Sequence, residues 1–111
     1  MHRAAVDKTM ESPANKLEDK RAELIVFCRR HRIARLSLFG SVLRGDARAD
    51  SDIDLLVEFT PESRVSLFDL GGMIMELREM LGCDVDLRTP QGLSPYFRDE
   101  VVRTAKLLYA A

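Results

Sequence analysis

The segment Asp52-Ile53-Asp54-Leu55-Leu56-Val57-Glu58-Phe59 constrains this chain more than any other. It is apolar at Ile53 and then without a break from Leu55 to Val57, as in a strand covered on both faces and therefore central in its sheet. Carboxylates open it at i and i+2, so Asp52 and Asp54 project from one face while Ile53 takes the other. A fold that buries this strand must leave its first residues polar and open to water.

Two more strand-like segments accompany it. "IARLSLFG", Ile33 to Gly40, alternates with Leu36 and Leu38 on one side and stops at a glycine, and "CDVDLRT" sets Val85 and Leu87 opposite Asp84, Asp86 and Arg88. Helical patterns fill the intervals. Ser12 reads as an N-cap with Pro13 at the first helical position, and Leu17, Leu24, Phe27 and Cys28 share one face of a helix reaching about His31. "SVLRG" has room for one or two turns. Ser66 and Asp69 form a capping box ahead of Leu67, Leu70, Ile74, Leu77 and Leu81, and Gly82 closes that helix. Ser94 and Pro95 start a last helix that carries Phe97, Val101, Ala105 and Leu108 inward. The order α-β-α-β-α-β-α predicts an α/β (α+β) fold, a small three-stranded mixed sheet covered by helices.

At 111 residues the chain has the size of a single domain. Residues 15–111 are assigned to it and residues 1–14, which lack periodicity, to a flexible tail. Lys+Arg 17 against Asp+Glu 18 leaves a net charge of −1, so no bulk basic field holds a polyanion. Direct nucleic-acid binding is not expected. Neither a signal peptide nor a membrane span is visible, which places the chain in the cytoplasm. Cys28 and Cys83 lack metal or CxxC spacing and read as reduced, packed thiols.

The acidic pair gains meaning from its neighbours. A D-x-D triplet alone is a common strand end, and Asp84 with Asp86 is a second example. Gly40-Ser41, however, closes a strand and opens a helical turn, where backbone N–H groups favour phosphate and a glycine admits a ligand to the backbone. A short antiparallel connection puts that turn beside Asp52 and Asp54. Mg²⁺ takes oxygen ligands and combines a few carboxylates with substrate phosphates. A third carboxylate from Asp84 or Asp86 would complete a two-metal transfer site, with one ion on Asp52 and Asp54 and a second also using the third acid. Spacing alone does not choose between Asp84 and Asp86. The basic run "CRRHRIAR" sits at a helix C-terminus, where the macrodipole favours cations, and reads as structural. Met73, Met75 and Met80 fall on more than one helix face, with room for a partner-facing surface.

"GSVLRGDARADSDIDLLV" resembles the G-S-x10-D-x-D pattern of the DNA polymerase β-like nucleotidyltransferase superfamily, and "VDL", Val85 to Leu87, resembles its third acidic strand. The small size, "SLFDL" and "LSPYFRDEVVRTAKLLY" are similar to the minimal nucleotidyltransferases, the antitoxin half of HEPN/MNT toxin-antitoxin pairs. The likeness spans about Leu17 to Tyr109. It implies a polymerase β palm-like fold, with Gly40, Ser41 and Arg44 toward nucleotide phosphate and Asp52, Asp54 and Asp86 as catalytic Mg²⁺ ligands, two ions in all. It further implies AMP transfer from ATP to a hydroxyl, a tyrosine, of a HEPN ribonuclease toxin in a hetero-oligomer. Two alternatives stand beside it: an antitoxin that masks its toxin stoichiometrically, and a small-molecule or RNA nucleotidyltransferase with a separate acceptor-binding subunit.

Overall fold

The computed structural model describes residues 12–48 and 50–111. Ser12 caps helix α1 (Pro13–Asp19) by accepting from the Asn15 N–H at 3.2 Å. Helix α2 (Arg21–Arg30) follows at once. A single helix over this stretch was expected, but Lys20 leaves helical geometry at φ −105°, ψ 18°. Hydrogen bonds from Lys20 N to Lys16 O and from Leu24 N to Lys20 O still cross the break. The segment is therefore one bent amphipathic unit, with Leu17, Leu24, Phe27 and Cys28 all buried. The tail expected over residues 1–14 lies mostly outside the described residues; of its last three, Ser12 is the cap and Pro13 is buried.

Arg32, in the left-handed region at φ 56°, turns the chain from α2 into strand β1 (Ile33–Phe39). Helix α3 (Ser41–Arg44) links it to strand β2 (Ile53–Phe59). These strands pair antiparallel, with Leu38 against Leu55 and Phe39 against Asp54. Helix α4 (Leu67–Leu81) crosses over to strand β3 (Val85–Arg88), which runs parallel to β2. The Ser66–Asp69 capping box and the left-handed Gly82 cap form as expected. A short 3₁₀ turn (Pro90–Gly92) and helix α5 (Pro95–Thr104) follow.

The C-terminus corrects the expected architecture. Helix α5 stops at Thr104, and Lys106–Ala110 forms a fourth strand, β4, antiparallel to β1 in a sheet of order β3-β2-β1-β4. Ala105 and Leu108 are thus not part of a helical face, and Phe97 is 61% exposed rather than inward. "AKLLYA" suits helix and strand alike, and the open edge of β1 decides the matter by offering backbone partners.

One sheet face, with Leu36, Leu38, Ile53, Leu55, Val57, Val85 and Leu87, packs into a core with Phe27, Met73, Leu77 and Leu81. Each fully buried side chain of this kind contributes about 1.5–3 kcal/mol. Leu67, expected on the same face of α4, is 86% exposed. By alternation, the opposite sheet face receives Asp54 and Asp86.

Candidate active site

The antiparallel β1–β2 pair and the parallel β2–β3 pair meet at one end of the sheet. There the register aligns Phe39 with Asp54 and Asp54 with Asp86. The residue after Phe39 is Gly40, at φ 81°, ψ −155°, and a Cβ there would overlap the Asp54 carboxylate. Only glycine serves at this position, for backbone conformation and for space. Ser41 begins α3 behind it. Gly40, not Ser41, holds the N-cap position, and no side chain caps the helix, so capping does not account for the Ser41 hydroxyl.

The three acids feel one another. Asp54 is half-buried, and its carboxyl is raised above its ordinary value by burial first and then by the charges of Asp86 and Asp52; Arg88 and Arg44 oppose the rise. Asp52, at the rim, is exposed. Asp84 and Asp86 sit in different surroundings. Asp84 precedes β3, is exposed and lies 3.6 Å from Arg78 of α4, whereas Asp86 stands in register with Asp54.

Arg88 went unremarked in the sequence as a site residue. Its Nε donates to Asp86 Oδ1 at 3.0 Å. The available signal was its position two residues beyond Asp86, which puts both on one strand face. Arg44 lies near Asp46, Nε to Oδ2 at 3.4 Å, and is otherwise exposed. Gly40, Arg44, Asp86 and Arg88 share a cleft of about 680 Å³ whose other wall includes Leu93 and Phe97.

Among the described residues no three acidic, histidine or cysteine side chains form a ready-made metal cage. The donor set nevertheless suits Mg²⁺, which is commonly held by one or two carboxylates plus substrate phosphates rather than by protein alone. Mutual repulsion of Asp52, Asp54 and Asp86 is the condition that a divalent cation relieves.

The basic run lies elsewhere. Arg30 and His31, at the end of α2, both bond Glu76 of α4, the latter at 2.9 Å, and the His31 ring packs at a tilt of 54° against Phe27 with centroids 4.6 Å apart. These contacts tie the end of α2 to α4. Cys28 is buried and Cys83 half-buried, both as free thiols, and no described helix is long and apolar enough to cross a membrane.

A model of the nucleotidyltransferase domain family matches residues 21–108. A Methanocaldococcus jannaschii protein named for protein adenylyltransferase activity is 35% identical over 89 residues, 80% of this chain and 94% of that protein. The protein adenylyltransferase MntA of Thermococcus cleftensis is 35% identical over 71 residues, 64% of this chain and 70% of its own. A solved structure described as a minimal nucleotidyltransferase superimposes with a TM-score of 0.70 at 38% identity, covering 85% of this chain and 93% of that one. A toxin-antitoxin crystal structure with AMP-PNP superimposes with a TM-score of 0.68 at 25% identity, covering 82% and 73%. The Gly-Ser turn beside aligned carboxylates and the match over most of its length agree: this chain belongs to the nucleotidyltransferase domain family, among the minimal nucleotidyltransferases, enzymes that move a nucleotide unit to an acceptor.

Proposed function

We propose that the protein transfers AMP from ATP to a tyrosine hydroxyl of a HEPN-type ribonuclease toxin and neutralises that toxin as its antitoxin, in a cytoplasmic hetero-oligomer. The observation that carries this reading is the alignment of Asp54 with Asp86 directly beside Gly40, which gathers the Gly-Ser turn and the two carboxylates at one sheet end. The adenylyltransferase names of its relatives and the nucleotide-bearing toxin-antitoxin structure support protein as the acceptor.

In this reading Gly40 and Ser41 hold the triphosphate through backbone N–H groups and the hydroxyl, with Gly40 letting phosphate approach closely. Arg44 adds a cation to the same phosphates. Asp52, Asp54 and Asp86 are the residues that would hold two Mg²⁺ ions. Bound there, Mg²⁺ supplies charge for the triphosphate and lowers the pKa of the attacking hydroxyl. The acceptor hydroxyl releases its proton to water, its oxygen bonds to the α-phosphorus, the bond from that phosphorus to the oxygen bridging to the β-phosphate breaks, and pyrophosphate leaves. Asp86, on the sheet-edge strand, faces the incoming hydroxyl, and the rigid strands β2 and β3 keep the carboxylates in register.

Isotope placement tests the reaction type. ATP labelled at the α-phosphate should label the toxin in the presence of Mg²⁺, and ATP labelled at the γ-phosphate should not. Label from the γ position, or on a residue other than tyrosine, contradicts the proposal. A toxin silenced without any label supports the stoichiometric antitoxin instead.

A further inference from the structure

Arg88 stands two residues beyond Asp86 on β3, so the two side chains emerge from one strand face. The contact uses Nε alone, at 3.0 Å from Asp86 Oδ1. A guanidinium has five N–H donors, and among the described residues the other four of Arg88 have no protein acceptor. The side chain is half exposed and lines the same cleft as Gly40 and Arg44. An exposed pair of this kind contributes little to stability, so a fastening role explains it poorly.

Its position explains more. Without a cation the three acids repel one another, and Arg88 is a fixed positive charge in direct contact with one of them. A divalent ion arriving at Asp86 competes with the guanidinium for the same oxygens and repels it. The anion then within reach is the nucleotide in the shared cleft, and a guanidinium fork matches phosphate oxygens in a bidentate manner.

We propose that Arg88 is an exchanging counterion, paired with Asp86 in the free enzyme and handed to a phosphate oxygen of the nucleotide when Asp86 turns to the metal. This rests on the transferase reading above. It assigns Arg88 two effects of opposite sign: it weakens metal binding before the nucleotide arrives and strengthens nucleotide binding afterwards.

The test uses the full chain with Arg88→Ala, Arg88→Gln and Arg88→Lys, each checked for a wild-type thermal melt. Mn²⁺ affinity without nucleotide is read by electron paramagnetic resonance, and AMP-PNP affinity with Mg²⁺ by calorimetry. Removing the charge should tighten Mn²⁺ binding about threefold or more and weaken AMP-PNP binding about tenfold or more. Lysine keeps the point charge but not the fork, so Arg88→Lys should leave Mn²⁺ affinity near wild type and weaken AMP-PNP about threefold. If wild type binds both probes and the uncharged variants match it, the exchange is overturned while the transferase reading survives. Should wild type bind neither probe, both fall together. Arg88→Gln carries the test if Arg88→Ala does not fold.

Discussion

Gly40 and Asp54 are so close that a Cβ on the first would occupy the space of the second's carboxylate. The Gly-Ser turn and the acidic strand thus touch, and only a residue without a side chain permits that approach. With φ at 81°, alanine would also sit in a backbone region that L side chains rarely adopt. Gly40→Ala should lower nucleotide transfer at least about tenfold and cost about 1–3 kcal/mol of stability. Steady-state transfer assays with a urea melt check both. A variant with wild-type transfer would show that the turn is not part of the site.

Asp54 carries a charge in a place that resists it. Burial, then Asp86 and Asp52, raise its carboxyl above the ordinary value, so at neutral pH the ionised side chain destabilises the metal-free fold. Asp54→Asn should therefore melt roughly 2–4 °C higher than wild type at pH 7 while losing transfer activity. Thermal melts in chelator make the comparison. A lower melting temperature would mean that the ionised carboxylate supports the fold.

Glu76 provides the contrast. Its partial burial would raise the carboxyl, but hydrogen bonds and charge from His31 and Arg30 outweigh this and hold it below the ordinary value. A carboxylate depressed on folding stabilises fully above its unfolded pKa, and loses that effect as pH falls through the folded value. Glu76→Gln should cost about 0.5–1 kcal/mol at pH 7, a small amount because water reaches the cluster, and the difference should vanish in acid. Urea midpoints across the carboxylate range would reveal it.

Strand β4 makes a further claim. Leu108 and Tyr109 pack against the core from it, and its backbone pairs with β1. Truncation after Thr104 should cost about 3–5 kcal/mol, since two partly buried side chains and a ladder are lost. An unchanged urea midpoint would show that the segment after Thr104 does not contribute to the fold.

What could be read in advance followed from local rules. Ile53 and Leu55 to Val57 mark a buried strand, and Ser66, Asp69 and Gly82 delimit α4 by capping chemistry that acts within a few residues. Gly40 and the acidic pair stood out because their spacing matches the family's Gly-Ser and Asp-x-Asp pattern. The misses depend on distant partners. Lys20 breaks a helix with no Pro or Gly nearby, and "AKLLYA" becomes a strand only because β1 has a free edge. The resemblance of "VDL" had favoured Asp86 over Asp84, but the register of β3 on β2 and the pairing of Arg88 with Asp86 required coordinates.

The central claim is that Asp52, Asp54 and their neighbours move AMP onto a partner protein. Its most direct measurement is the intact mass of the purified toxin after incubation with this protein, ATP and Mg²⁺, beside the double variant Asp52→Ala, Asp54→Ala. The toxin should be heavier by whole adenylyl units with wild type and unmodified with the variant. Toxin that gains no mass with wild type, or the same mass with both, would contradict it.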